Sequence, residues 1–488
     1  MKSFIKLKDI VLISAVTVLI FSTCVSLPFA KKTEEANAVI TVDVNTKYQY
    51  VRGFGGMDVG WGNFPRTGAP DTELLFNPDT GLGLNILRIM IMPWNTDIGK
   101  TMKTLISGDR PDYYENVKIV NKYGGYVLAS PWSPPKEWKT NNDLQGDGRL
   151  DVKYYQKYAD YLKSFALNMY ENGAPIYAIS IQNEPNYQVS YDGCLWTPNE
   201  MKNFFLQVGH FTDGVKGFGG GRQIPSVRTM NGETMGNPYI NNAALDDPES
   251  RAVIDIIGRH TYSNRQYRYA NALDHPGDPK EVWMTEHNIN SGKVSGYPDD
   301  STWDYVWKIL NDIDLSIRNN DESAFIWWAA KRFYGLMGDG QYDTPEGVIL
   351  PRGYAMSHYA KFAKETYRVG ITKSGKTKDG VNLNSGNFNS RVDNIDGLTA
   401  KVTAFVSPDG NTISLVMYTP TLINGMGGVD MGNIKIQLPS NFIISKAVAM
   451  RSSENSYAKM EEVKISKNKT SAIVNLPRGH ILSVRFTK

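Results

Sequence analysis

The chain predicts a (β/α)8 barrel fused to an antiparallel β-sandwich side domain that also takes an N-terminal strand. Three observations lead there. Between residues 50 and 365, eight short apolar runs alternate with helical patterns, the arrangement of parallel strands joined by crossover helices. From about residue 368 the texture changes to alternating strand patterns separated by Gly, Asn, Pro and Asp. The 488 residues, 41% hydrophobic and 21% charged, suffice for one large core and a smaller second one.

At the start of the chain, residues 1–38 read as an export signal: Lys2, Lys6 and Lys8 precede an apolar run, 10–24, too short for a confident membrane span. Ala36-Asn37-Ala38 offers the cleavage site, with Ala30 as a competitor and lipidation at Cys24 as an alternative. The expected product is a free, monomeric, secreted protein with no membrane segment. Its net charge falls from +3 to +1 with the leader, which leaves no electrostatic footprint for nucleic acid. Cys194 is then its one thiol, so no internal disulfide forms and the cores must hold the fold.

Residues 39–48 form the strand expected to join the side domain, 49–367 the barrel and 368–488 the side domain. The barrel strands are predicted at 50–54, 85–90, 125–129, 176–181, 227–230, 253–257, 282–285 and 324–328. Helices are predicted over 152–172, with Tyr155, Tyr158, Tyr161, Leu162 and Phe165 on one stripe, from a Thr197-Pro-Asn-Glu200 start, and over 303–317. A doubly wound open sheet would need a phosphate-binding turn after its first strand. Gly53-Phe-Gly-Gly56 lacks the G-x-G-x-x-G spacing, and the glycines at 217–221 read as a flexible loop before a strand. Side-domain strands are predicted at 398–405, 412–417, 434–438 and 481–486.

In a barrel, reactive groups sit at the C-terminal ends of the strands. Those ends carry Arg88, the Ser130-Pro-Trp-Ser-Pro-Pro135 turn, Asn183-Glu184, Asn231 and Glu233, His260 and Tyr262, Glu286, and Trp327-Trp328. Glu184 and Glu286, on the fourth and seventh strands, can face each other across one rim. Two carboxylates flanking an acetal, one protonated and one ionised, are what glycoside hydrolysis needs. An isolated Glu is more often a solvated carboxylate or an ion-pair partner. The shared setting at strand ends, with Glu184 locked between Asn183 and Pro185, favours the paired reading. No Cys/His metal spacing, P-loop or G-x-S-x-G occurs, so no metal and no cofactor are expected. Asp143, Asp147 and Asp151 lack the terminal Glu of a calcium loop and read as a turn-rich loop.

"SIQNEPNY" at 180–187 and "WMTEH" at 283–287 resemble the acid/base and nucleophile motifs of glycoside hydrolase clan A, specifically family 30. Further matches are "GFGG" at 53–56, "LRIMI" at 87–91, "SPWSPP" at 130–135, "LWTPNEM" at 195–201 and "RGYAMSHYAKF" at 352–362. The resemblance runs from about 39 to 488. It implies a retaining mechanism with Glu184 as acid/base, Glu286 as nucleophile, Asn183 on the sugar 2-hydroxyl and Arg88 against the nucleophile. Trp132 and Trp328 resemble aromatic walls of the cleft, Tyr262 a polar aromatic near the nucleophile and Tyr334 a further substrate contact. Glu233 aligns near a strand-end carboxylate of the family, which makes it either a decoy or a supporting ligand.

"FIWWAAKRFYG" at 325–335 is closest to the xylan-active bacterial members. Their glucuronoxylanases place an arginine there that pairs with a glucuronate branch. Aligned on Trp327-Trp328 and Tyr334-Gly335, this chain has Lys331, with Arg332 beside it; a lysine cannot form the planar bidentate fork. The expectation is therefore a xylanase, internal-cutting or xylobiose-releasing, without strict glucuronate dependence. The same resemblance leaves open a β-1,6-glucanase, β-1,6-galactanase or glucosylceramidase-like activity, and a carbohydrate-binding protein is the alternative outside enzymes. Insertions at 140–150, 290–302 and 338–348 could wall the cleft.

Overall fold

The structure is a computed structural model that describes residues 36–60, 64–263, 267–289, 303–380, 382–383, 400–423 and 426–488. The leader residues 1–35 and the 290–302 insertion lie outside them. Eight parallel strands close into a barrel: Gly53–Asp58, Ile86–Ile91, Tyr126–Pro131, Ala178–Ser180, Arg228–Met235, Ile256–His260, Glu281–His287 and Ala324–Trp327. Burial on both faces by barrel interior and helices explains why these strands read as apolar runs rather than alternating ones.

The first strand differs from the expectation at 50–54. Tyr50 and Val51 pair with Tyr367 and Thr366 in the side sheet, and the barrel strand begins at Gly53. Three glycines in Gly53–Asp58 carry little β-propensity, which disguises a fully buried strand. The spacing is needed: a Cβ on Gly55 would meet the Ile86 carbonyl oxygen at 1.9 Å. The glycines at 217–221 are not a flexible loop. They form a tight hairpin, Gly217–Gly219 against Arg222–Ile224, turned by Gly220 and Gly221 at φ 62° and 72°.

The helix starts are chemically specified. Thr197 Oγ1 accepts the Glu200 amide at 3.2 Å while Glu200 accepts the Thr197 amide at 2.6 Å, opening Pro198–Val208 with a reciprocal cap. Tyr155–Glu171 buries the predicted Tyr155, Tyr158, Tyr161, Leu162 and Phe165. Asp304–Asp314 continues as a π-helical turn, Leu315–Asn319.

The side domain is a ten-stranded, almost wholly antiparallel sheet. Ala38–Val51 runs antiparallel to Thr366–Gly375 and parallel to Gly432–Gln437, so the chain's first described strand is stitched into its last domain. The period-two alternation of Thr412–Thr419 divides its side chains between two cores: Ile413, Leu415 and Met417 enter the side-domain core, Val416 and Tyr418 the barrel core. The helix Pro351–Phe362 fills the seam and is buried nearly all round. Among the described residues no helix is long and apolar enough to cross a membrane.

Candidate active site

The fourth barrel strand is only three residues long, and the residues beyond it are held by the adjacent strands. The Asn183 amide donates to the Pro131 carbonyl at 2.9 Å, and the Glu184 amide to the Glu233 carbonyl at 2.9 Å. Glu184 thereby adopts a left-handed backbone, φ 48°, a strained state for a non-glycine residue that persists because third and fifth strands clamp it. Pro185 then carries the chain away from the rim. The turn aims the Glu184 carboxylate into the barrel mouth, where Tyr191 donates to it at 2.6 Å and His260 Nδ1 lies 3.0 Å away.

Glu286 reaches the same space from the seventh strand, whose pairing with the sixth shifts register between Met284 and Glu286. Arg88 Nη1 donates to Glu286 Oε2 at 2.6 Å and Tyr262 donates to Oε1 at 3.0 Å. The other Arg88 nitrogen donates to Asn183 Oδ1 at 2.7 Å and approaches Glu233 Oε2 at 2.9 Å. Its Nε donates to Ser130 at 3.2 Å, and its guanidinium lies 4.7 Å above the Trp132 ring. One fully buried arginine thus fixes the strand ends that carry Glu286, Asn183 and Glu233. Gly258 makes room beneath: a Cβ there would meet Glu233 Cγ at 2.6 Å.

The electrostatics arise from packing three carboxylates around one arginine and one imidazole. Burial would favour a neutral Glu233, but the Arg88 charge and His260 hold it at about 2. Burial alone would lower His260; the charge of Glu286, the hydrogen bond to Glu184 and the nearby Glu233 carboxylate raise it to about 9. Glu286 is raised, chiefly by burial and with Glu184 adding to it, against the pull of His260 and Arg88. Glu184 is lowered, because hydrogen bonding to His260 and the imidazolium charge outweigh its own burial. His260 and Glu184 are best described as one proton-sharing pair beside Glu286, whose own counter-ion is Arg88.

Glu184, His260 and Glu286 each bring a ligand atom within 4.8 Å of the others, which is the one such group among the described residues that could hold a metal ion. Arg88 already supplies the cation against Glu286, so the group reads as an acid–base centre rather than as metal ligands.

The aromatic residues singled out from sequence form a wall beside this centre. Trp132 and Trp328 have ring centroids 6.0 Å apart, Phe64 packs edge-on to Trp328 at 5.5 Å, and the Tyr334 phenol faces Trp328 and Arg332. Lys331 is not in this group. Its Nζ pairs with Asp71 at 2.8 Å and Glu346 at 3.5 Å, and the residue is only 8% exposed. Arg332 instead lies over the Phe64 and Phe333 rings and pairs with Asp339 at 3.4 Å. Sequence reasoning passed over Tyr191, which sits in an irregular loop without a pattern. It left His260 as a bare strand end, although a polar residue closing an apolar strand was a signal that could have found it.

Comparison with known proteins agrees with this fold. The Glycosyl hydrolase family 30 TIM-barrel domain profile matches residues 111–320. Glucuronoxylanase XynC of Bacillus subtilis (strain 168) is 30% identical over 345 residues, covering 69% of this chain and 72% of that protein. The chain belongs to glycosyl hydrolase family 30. It is a glycoside hydrolase, and in TIM-barrel enzymes generally the reactive groups stand at the C-terminal ends of the strands. The solved structure of the family 30 subfamily 8 xylanase Xyn30A from Clostridium acetobutylicum superposes with a TM-score of 0.70 at 25% identity, covering 92% of this chain and 100% of that one. An endo-1,6-beta-D-glucanase of Neurospora crassa is 29% identical over 170 residues, 34% of this chain and 31% of that protein.

Proposed function

We propose that this family 30 enzyme is a secreted, retaining β-xylanase in which Glu184 is the acid/base and Glu286 the nucleophile. The observation that carries the mechanism is the approach of the two carboxylates. One oxygen of each lies within 4.8 Å of one oxygen of the other, an approach that suits the roughly 5–5.5 Å of a retaining pair better than the about 6.5–9.5 Å of an inverting one.

In the first step a Glu286 oxygen attacks the anomeric carbon as the glycosidic oxygen takes a proton from Glu184, giving a glycosyl-enzyme ester and a free chain end. In the second, Glu184 removes a proton from water, which attacks the same carbon and releases Glu286. Arg88 and Tyr262 keep Glu286 anionic and aimed, and Asn183, steadied by Arg88, reaches the sugar's 2-hydroxyl. The proton for the first step resides in the His260–Glu184 pair at neutral pH. Esterification of Glu286 removes a negative charge from beside that pair, which lowers its proton affinity as Glu184 turns from acid to base.

Xylan as substrate is supported by the names of the B. subtilis and C. acetobutylicum relatives. Independence from a glucuronate branch is supported by Lys331, whose charge is taken up by Asp71 and Glu346. A β-1,6-glucan is the competing substrate, favoured by the N. crassa relative. Hydrolysis of glucuronoxylan, arabinoxylan and pustulan, with products resolved by chromatography, decides among them; cleavage of pustulan alone would sink the xylan assignment. For the roles, Glu286→Ala should abolish turnover. Glu184→Ala should lose about 10²–10⁴-fold on poor leaving groups and recover with azide. Full activity in either variant would refute the assignment.

A further inference from the structure

We infer that Trp94 is the stacking platform of an additional sugar-binding subsite, outside the catalytic cluster, that grips the polysaccharide chain; the inference rests on the polysaccharide-hydrolase reading above. A cavity of ≈ 380 Å³ opens between the loops after the first, second and fourth barrel strands, lined by Phe64, Arg66, Trp94, Asp109 and Asp192 among others. That volume is within the range of sites for small ligands.

Two of the cavity's lining residues adjoin the catalytic centre. Phe64, in its wall, packs on Trp328 of the aromatic wall. Asp192, also in its wall, comes directly after Tyr191, whose hydroxyl holds Glu184. The cavity thus lies on the side of the catalytic centre toward which a chain held between Glu184 and Glu286 can extend.

The chemistry of the lining suits a sugar. Trp94 is 42% exposed, the only tryptophan among the described residues so open to solvent, and its indole face suits stacking against a sugar ring. Arg66, Asp109 and Asp192 place a cation and two carboxylates around it, donors and acceptors for ring hydroxyls. The indole is also presented on a stiff backbone. On one side the buried Tyr161 hydroxyl donates to the Met92 carbonyl at 2.6 Å. On the other, Asn95 accepts the Asp97 amide at 2.9 Å, and Asp97 in turn caps the helix Ile98–Ser107 through the Gly99 amide at 2.9 Å. A ring held open to solvent on fixed backbone loses little entropy when a sugar face stacks on it.

The test compares wild type, Trp94→Ala and Trp94→Phe on xylohexaose and on an aryl β-xylobioside too short to reach the cavity. The ratio of kcat/KM on the long substrate to that on the short one should fall about five- to tenfold in Trp94→Ala, the size of one aromatic stacking contact, and return most of the way in Trp94→Phe. An unchanged ratio would overturn the inference, whether both activities fall together or neither moves. If wild type cleaves pustulan and not xylan, the xylan assignment fails separately. The same ratio measured on β-1,6-gluco-oligosaccharides then decides the role of Trp94.

Discussion

Two fully buried histidines mark two regions built on opposite terms. In the barrel mouth His260 touches Glu184 and lies 3.9 Å from Glu233 and Glu286, and it is raised to about 9. In the seam between barrel and side domain, His358 sits between the hydroxyls of Ser483 at 2.8 Å and Ser452 at 2.9 Å. Burial, with Lys361 and Arg451 adding to it, lowers His358 to about 3. Burial is equal, so the partners decide the sign. The mouth concentrates charges that are tolerable only while mutually paired, and a reaction that moves one proton and removes one charge can use that tension. The seam holds its polar groups in fixed, closed arrangements. Asp314 there takes hydroxyls from Tyr359 at 2.7 Å and Tyr418 at 2.8 Å, joining barrel helix to side sheet.

The contrast is tested most severely by Arg88→Met. It leaves Glu233 and Glu286 buried without their cation, so stability should drop by about 3–5 kcal/mol, and kcat/KM of the folded fraction should collapse as well. Thermal melts and initial rates check both; a fully active, equally stable variant would mean that the mouth is not balanced on Arg88.

His260→Gln comes next. Wild-type kcat/KM should hold on the alkaline side until pH passes about 9, where the pair loses its proton. It should fall on the acid side as Glu286 protonates, above the ordinary carboxylate value because that group is raised. Removing the imidazole should move the alkaline limb down and lower the rate at pH 7 by about 10–100-fold. The sign for stability agrees: a histidine raised on folding contributes fully below about 6.5 and loses that contribution as pH rises through about 9.

In the seam the expected pattern is stability without chemistry. Asp314→Ala strands two buried tyrosine hydroxyls and should cost about 2–4 kcal/mol, while kcat of the folded enzyme stays within about twofold. An altered kcat would show that the seam reaches the mouth. The smallest effect concerns His358. Because it is lowered on folding, its contribution is present above about 6.5 and is lost as pH falls from there toward about 3. The melting temperature should drop over that interval, by at most about 1.4 kcal/mol of stability per pH unit. His358→Gln, unable to gain the charge, should show a shallower acid slope than wild type.

Much of the architecture was legible in the chain. Seven of the eight predicted runs became barrel strands, and the Thr197–Glu200 cap opened its helix as its side chains require. The strand ends were read too early where polar residues continue them. Ile256–His260 and Arg228–Met235 run on into Arg259, His260 and Glu233, which are buried only because the barrel closes over them. The first barrel strand was misplaced because Tyr50 and Val51 look more strand-like than Gly53–Asp58 yet belong to another sheet. Within the site, Glu184, Glu286, Asn183, Arg88 and Tyr262 converge on one cluster, but the sequence did not offer Tyr191 as the partner of Glu184 or Asp71 as the partner of Lys331.

What the sequence determined by itself was local: period, caps, turns, and which residue types stand at which strand ends. Those depend on neighbours within a few positions, and the barrel's regularity converts them into one rim. Only the tertiary structure decided which of several strand-end charges share a desolvated space. Arg88 lies 198 residues from Glu286 and 95 from Asn183 along the chain, yet hydrogen bonds tie all three together. A pKa is set by distance and burial rather than by order along the chain, so the opposite shifts of Glu184, Glu233, Glu286 and His260 are written only in the folded barrel.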